Sequence, residues 1–155
     1  MRRRVVVTGL GVIHSLGKDP DTFWNSIKEG KNGISMVTKF DTTEFSTKVA
    51  AQITDFDPTA YIDKKEAKRM DLFSQYAIAA SRQAFDMAGL DTAKLEPFRA
   101  GVLIGSGIGG IQTLEENCRT LFEKGPKRVS PFFVPMMIAN MASGQVAMRF
   151  GFKGY

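Results

Sequence analysis

The sequence predicts an α/β fold, and three observations support this prediction. Val5 to Thr8 is a continuous β-branched run ended by glycines, which is typical of a strand covered on both faces in a parallel sheet. Ala100 to Ile104 is a second apolar run of strand length. Around these runs, apolar residues recur at helical spacing, so that strands and helices alternate along the chain.

Composition indicates one ordinary globular domain. The chain has 155 residues, of which 43% are hydrophobic and 24% charged, and its formal net charge is +5. This charge favours acidic partners by electrostatic steering, but it is far short of a nucleic-acid-binding signature, so we expect no nucleic-acid partner. A single cysteine, Cys118, and a single histidine, His14, exclude an internal disulfide and most metal sites. We predict no bound metal and a reducing, cytoplasmic location.

The N-terminus resembles a secretory signal only superficially. A basic start precedes an apolar run, but the run is short and contains Gly9 and Gly11, so a buried first strand explains it better. No apolar stretch approaches the about 20 residues that cross a bilayer. We therefore expect no membrane association.

Four further segments carry secondary-structure signals. Asp19-Pro20 predicts a helix start, with the helix running through Ile27 to a stop at Gly30. Lys48 to Ile53 predicts a short strand in a hairpin-like excursion. Gln112 to Lys124 predicts a further helix, and another begins at Pro135 and passes through Phe150.

The strongest helical pattern runs from Lys64 to Ala88. Its apolar residues recur at steps of three or four and predict one buried stripe, which consists of Met70, Phe73, Ala77, Ala80, Ala84 and Ala88. The alanines imply close packing, and Gly89 provides a left-handed stop. Because only two core strands accompany these helices, we expect the chain to be part of a larger fold.

The loop Gly105 to Gly110, G-S-G-I-G-G, satisfies the dinucleotide-binding pattern through Gly105, Gly107 and Gly110. That site also needs an acidic residue about 20 positions further on. The sequence there is G-P-K-R-V-S, without an acid, which argues against a nucleotide cofactor. We predict that the protein has no cofactor. Glycine also permits close backbone approach. Ile108 is then either a wall or gate for an apolar ligand or the plug of a tight turn.

Four segments together resemble one family. R-R-V-V-V-T-G-L-G near the start, K-K-E-A-K-R-M-D at Lys64 to Asp71, I-G-S-G-I-G-G at Ile104 to Gly110 and G-P-K-R-V-S-P-F-F-V-P at Gly125 to Pro135 are similar, in order and spacing, to β-ketoacyl-acyl-carrier-protein synthase II. The resemblance implies a thiolase-like fold, five-layered αβαβα when complete, in a homodimer. Residues 1–155 would be the N-terminal part of its N-terminal domain.

The resemblance also implies a chemistry. Members of this family elongate fatty acids by decarboxylative Claisen condensation of a malonyl thioester with an acyl thioester, both carried by an acidic acyl carrier protein. The family's cysteine, in a Thr-Ala-Cys segment, and its two histidines are not in this chain, so we expect no catalytic residue here and no activity from these residues alone. Cys118 lies mid-helix, away from an activating helix N-terminus, and we expect an incidental thiol. His14 we expect to be a local hydrogen-bonding residue.

The resemblance assigns binding roles to seven residues. Lys65, Lys68 and Arg69 match the docking positions for the carrier protein, and their spacing places them on the solvent side of the helix. Ile108 matches the gate of the acyl pocket, with Gly107 giving it room. Phe133 and Val134 match positions that cross the dimer interface and line the partner's pocket. For the three basic residues the alternative is a merely solvated helix face, and for Phe133 and Val134 it is core packing within one subunit. The alternative function is a non-catalytic, chain-length-factor-like partner of a polyketide synthase.

Overall fold

Helices dominate residues 3–155, the part of the chain that the computed structural model describes. A three-residue antiparallel pair, β1 (Ile34–Met36) and β2 (Val49–Ala51), aligns Ile34 with Ala51. The α-helices of the described residues are α1 (Pro20–Lys28), α2 (Lys64–Ala67), α3 (Leu72–Met87), α4 (Ile111–Lys124), α5 (Phe133–Met137) and α6 (Met141–Phe150).

Two local predictions are confirmed at the first helix and the hairpin. Asp19 caps α1, since its carboxylate accepts hydrogen bonds from the Thr22 backbone N–H at 2.8 Å and from the Thr22 hydroxyl at 2.7 Å. Gly30 follows the helix with a φ of 67°, a left-handed conformation that suits glycine. The strand predicted between Lys48 and Ile53 is β2, paired in a hairpin-like excursion as expected.

The single helix predicted from Lys64 to Ala88 is wrong in its continuity. The chain leaves the helix after α2, and Asp71 starts α3 with an extended backbone, φ −71° and ψ 159°. The break remains hydrogen-bonded because the Gln75 side-chain amide donates to the carbonyls of Ala67 at 3.0 Å and Met70 at 2.9 Å. The predicted stop is confirmed, with Gly89 at a φ of 61°.

The predicted stripe on α3 is half-buried, and the fully buried face is its neighbour. Ser74, Gln75, Ile78 and Ala79 are the buried residues of α3. The alanines instead receive the N-terminal segment: a Cβ on Gly9 would overlap the Ala84 carbonyl, and one on Gly11 would overlap that of Ala80. Close packing on Ala80 and Ala84 is therefore confirmed, and their partner is this extended segment, whereas Met70 and Ala77 pack against the core.

The core lies where α3 packs on α6. Ile78 is 1% exposed and Val146 3%, and both contact a cluster that also contains Phe150. The rings of Phe85 and Phe150 stack at 4.7 Å between centroids, which extends the cluster toward the C-terminal end of α3. This helix pair therefore supplies most of the buried apolar cluster of the described residues.

The helix predicted from Pro135 to Phe150 is also two helices, α5 and α6. Pro135 lies inside the first turn of α5, where its missing N–H costs nothing, instead of opening a helix through Phe150. After α5 the chain becomes extended at Ile138, and the Met137 carbonyl accepts a hydrogen bond from the Gly110 N–H at 2.8 Å. This contact with the glycine loop takes the place of helix continuation.

The two predicted core strands are not strands in the described residues. Val5 is 90% exposed and Leu103 is 101% exposed, and no neighbouring strand pairs with either segment within residues 3–155. A strand is defined by backbone hydrogen bonds to a neighbour, so an apolar extended run without one stays unassigned.

Within residues 3–155, no helix has the length and apolar character that a membrane span requires.

Candidate functional site

The glycine loop is fixed by its second half. Gly109 has a φ of 80°, and its N–H donates to the Ser106 hydroxyl at 3.1 Å. A Cβ on Gly110 would lie 2.6 Å from the Met136 carbonyl oxygen, so only glycine allows this approach to α5. Gly105 and Gly107, in contrast, have open space within 4 Å of an added Cβ. The glycines that the backbone requires are therefore Gly109 and Gly110.

The side chain of Ile108 is exposed on this loop. Its side chain is 68% exposed, and a Cβ added to the neighbouring Gly107 would meet no heavy atom within 4 Å. An isoleucine that plugs the core of a tight turn would be buried. The plug interpretation is therefore wrong for the described residues, while the role as a wall or gate stays a prediction.

One carboxylate serves the N-termini of two helices. α4 begins after Gly110, which has no side chain to cap it. Asp71 supplies the missing acceptor: one oxygen accepts from the Thr113 N–H at 3.1 Å and from its hydroxyl at 2.6 Å. The other oxygen accepts from the Phe73 N–H at 3.3 Å and caps α3. Thr113 is only 4% exposed, so this contact is shielded from water.

Sequence reasoning missed Asp71 and Thr113, although a signal was present. A helix that starts after two glycines leaves its first N–H groups without a side-chain acceptor, and buried donors must find one. Asp71 was an available acceptor, but the sequence pattern placed it inside one continuous helix from Lys64 to Ala88. Nothing in the sequence, however, shows that residues 42 positions apart meet.

The predicted docking residues lie together on the surface. Lys65 belongs to α2, Lys68 caps its C-terminus, and Arg69 follows in the break before α3; all three are exposed. They do not share one continuous helix with Phe73 and Ala77. This part of the expectation is wrong because the helix is interrupted between α2 and α3. Exposure is as predicted.

Charge in this basic segment, Lys64 to Arg69, is nearly all of one sign. Its one acid, Glu66, is held at 2.8 Å by Arg149 from α6. Within residues 3–155, none of the basic side chains of the segment has a carboxylate within salt-bridge distance. The segment therefore presents a positive surface to solvent.

The basic segment also contacts Ser130 to Pro135, here called the S-P-F-F-V-P loop, whose last three residues begin α5. The Arg69 guanidinium lies over the Phe132 ring at 4.8 Å from its centroid. The loop itself is anchored to α4, since the Ser130 N–H donates to the Asn117 side-chain carbonyl at 3.0 Å. Phe133 is half-buried and Val134 is 55% exposed. The structure thus brings the predicted docking residues next to the predicted interface loop.

A cleft of about 490 Å³ opens beside this contact, between the basic segment and α6. It is lined by Glu66, Arg69, Met70, Ile78, Phe132, Pro135, Gln145, Met148 and Arg149. Arg69 is the one predicted site residue of the described chain on its wall. The cleft therefore belongs to the docking side, and Ile108 does not line it.

The remaining candidates have local roles. The His14 Nδ1 accepts from the Leu16 N–H at 3.2 Å, and its ring lies edge-on to Phe23, which agrees with the predicted local hydrogen-bonding role. Cys118 is an exposed free thiol in the middle of α4. Burial raises the pKa of Tyr76 above its usual value, and the charge of Asp71 raises it further. No metal-ligating cluster occurs in residues 3–155.

Known proteins with similar sequences are synthases. The family model of the beta-ketoacyl synthase N-terminal domain matches residues 2–155. The chain is 48% identical over 153 residues to 3-oxoacyl-[acyl-carrier-protein] synthase 2 of Synechocystis sp. and 47% identical over 153 residues to that of Vibrio harveyi. These matches cover 99% of this chain and 37% of each relative, so the chain spans little more than a third of the relatives' length.

Solved structures with similar folds are ketosynthases. The ishigamide ketosynthase/chain length factor superposes with a TM-score of 0.88 at 30% identity, over 98% of this chain and 38% of that one. A type II PKS acyl-carrier protein in complex with its ketosynthase superposes with a TM-score of 0.81 at 28% identity, over 99% of this chain and 41% of that one. The predicted thiolase-like fold class is confirmed by these matches. With the sequence match over residues 2–155, they show that the chain belongs to the β-ketoacyl synthase family.

Proposed function

We propose that the protein acts as a β-ketoacyl-acyl-carrier-protein synthase II and that residues 1–155 contribute the N-terminal part of its N-terminal domain. The reaction is a decarboxylative Claisen condensation of malonyl-carrier protein with acyl-carrier protein, which extends the acyl chain by two carbons. The observation that carries the proposal is the similarity of nearly the whole chain, at 48% identity, to a relative named 3-oxoacyl-[acyl-carrier-protein] synthase 2.

In this proposal the described residues bind and position, and they do not perform the chemistry. Condensation needs a thiolate nucleophile and groups that stabilise an enolate. The 155 residues hold one cysteine, exposed in mid-helix, and one histidine with local contacts. We therefore assign the nucleophile and the histidine pair to a segment outside these residues.

The basic segment is the proposed docking site for the acidic carrier protein. Lys65, Lys68 and Arg69 are exposed and have no carboxylate within salt-bridge distance in residues 3–155, which is the arrangement that attracts an acidic surface. One solved relative is itself a complex of an acyl-carrier protein with its ketosynthase, which supports this choice of partner.

The glycine loop and the S-P-F-F-V-P loop are the proposed acyl side of the site. Gly107 leaves open space beside Ile108, so that the isoleucine can act as a gate to an apolar pocket. Val134 is 55% exposed and Phe133 half-buried, and a second subunit would bury this apolar loop. We therefore propose a homodimer in which both residues line the partner's pocket. The proposed substrates are acyl and malonyl thioesters, without a cofactor, in the cytoplasm, where an exposed free thiol such as Cys118 stays reduced.

Reconstitution of the complete enzyme tests the function. The enzyme is incubated with carrier protein that bears an acyl chain and with carrier protein that bears a malonyl group. The products should be carbon dioxide and a β-ketoacyl chain that is two carbons longer. Decarboxylation without elongation, or neither, would contradict the proposal. The alternative, a non-catalytic partner like a chain length factor, is supported by the similarity to the ishigamide ketosynthase/chain length factor. A residue other than cysteine at the nucleophile position of the gene would decide for this alternative.

A further inference from the structure

The N-terminus of α4 is capped by a residue that lies far away in the sequence. Helix N-termini expose N–H groups that need acceptors, and Gly110 provides none. The Asp71 carboxylate fills this position with two hydrogen bonds to Thr113, at 3.1 Å to the N–H and 2.6 Å to the hydroxyl. A negative charge at this end of the helix is also favoured by the helix dipole.

The same carboxylate reaches the glycine loop. A Cβ on Gly110 would lie 2.9 Å from the Asp71 oxygen, so the loop passes directly over the acid. On its other side, the Gly110 N–H donates to the Met137 carbonyl at 2.8 Å. The loop is therefore clamped between α3 and α5 two residues after Ile108, while the space beside Gly107 is open.

We propose that Asp71 is the positioning residue of the acyl gate: its carboxylate fixes the start of α4 and thereby the orientation of Ile108. This inference rests on the proposed function, since a gate requires an acyl chain to admit. Asp71 touches neither substrate nor carrier protein in this proposal. Removal of the Asp71 carboxylate should change which acyl chains enter the pocket. It should not change carrier-protein docking, although Asp71 lies only two residues after Arg69.

The test compares Asp71→Asn in the complete enzyme with a matched control, Asp19→Asn. Asp19 makes the same pair of hydrogen bonds to a threonine, but locally, within three residues at the start of α1. We expect Asp71→Asn to speed hydrogen exchange at the Gly110 and Thr113 amides by about tenfold, since a charge-assisted hydrogen bond is weakened. Asp19→Asn should leave these amides unchanged.

Acyl selectivity is the second readout. Asp71→Asn should change the ratio of kcat/KM between long and short acyl chains several-fold, while the Kd for the carrier protein stays within about twofold. Thr113→Val removes the hydroxyl donor and should have the same effect, Thr113→Ser should restore the wild-type ratio, and the double variant should be less than additive. If Asp71→Asn does not fold, the Thr113→Val and Thr113→Ser pair decides.

Unchanged exchange and selectivity in Asp71→Asn and Thr113→Val would overturn the inference, as would an equal effect of Asp19→Asn on the α4 amides. A wild-type enzyme that elongates no acyl chain would instead overturn the proposed function. The exchange rates would even then report whether Asp71 holds the loop.

Discussion

The guanidinium of Arg69 lies over the ring of Phe132, 4.8 Å from its centroid, and so joins the basic segment to the S-P-F-F-V-P loop. Stacking restricts a long, flexible side chain and presents its charge in one orientation. A preordered arginine loses less entropy when it binds an acidic partner.

Phe132→Leu should therefore weaken carrier-protein binding although it removes no charge. We expect the Kd to rise roughly two- to tenfold, mainly through faster dissociation, because one side chain must be immobilised on binding. Surface plasmon resonance measures both rates. Phe122→Leu is the matched control, since Phe122 is 85% exposed on α4 and far along the chain from Arg69. Equal effects of the two variants would contradict the stacking role.

Charge reversal in the basic segment should slow association. Replacing Lys65, Lys68 and Arg69 with glutamate is expected to lower the association rate with the carrier protein by about tenfold or more at low salt, with the difference shrinking as salt screens the charges. Stopped-flow fluorescence gives the rate. The control replaces three exposed lysines that have no salt bridge in the described residues, with the same change of net charge: Lys28, Lys39 and Lys124. If both triple variants behave alike, net charge explains the effect and the docking site is not where we propose.

The size of residue 108 should set acyl selectivity. Ile108→Phe is expected to lower kcat/KM for long acyl chains by about tenfold relative to short ones, because a larger gate narrows the entrance. Ile108→Ala should reduce the discrimination. Competition assays with mixed acyl-carrier proteins measure both. A uniform loss for all chain lengths would indicate a folding defect and contradict the gate.

Cys118 should be dispensable. It is exposed in the middle of α4, away from the helix N-terminus that would favour a thiolate. Cys118→Ser in the complete enzyme is expected to keep kcat within about twofold, as for most surface substitutions. Residues 1–155 alone should accept no radiolabelled acyl group. Labelling that Cys118→Ala abolishes would overturn the assignment of the nucleophile to another segment.

Tyr76 should make the enzyme sensitive to alkaline pH. Burial, and secondarily the charge of Asp71, raises its pKa in the folded state above the usual value near 10. The folded state thus favours the neutral phenol. This preference contributes fully to the free energy of unfolding below pH 10, and the contribution is lost as pH rises through the pKa of the folded state. Tyr76→Phe should therefore lose less Tm between neutral and alkaline pH than wild type. Parallel Tm profiles would show that the tyrosine does not contribute.

Isolated motifs show how far sequence reasoning reached. Helix α1 followed from Asp19, Pro20 and Gly30, because caps and stops act on their immediate neighbours. The exposure of Lys65, Lys68 and Arg69 followed from their charge, and the family followed from four motifs in register. Each of these properties is written in consecutive residues.

Tertiary structure decided where elements end and which residues meet. The predicted helices from Lys64 and from Pro135 each divide in two. After the first break the Asp71 carboxylate accepts hydrogen bonds from Thr113 at the start of α4, and at the second break the Met137 carbonyl accepts one from Gly110 of the glycine loop. Periodicity reports which face of a helix is apolar, but it carries no information about a partner 42 residues away. The sequence by itself thus determined the family, the local helix signals and the basic segment, while only the packed chain decided that the carboxylate of Asp71, two residues after that segment, holds the start of the helix that follows the loop of Ile108.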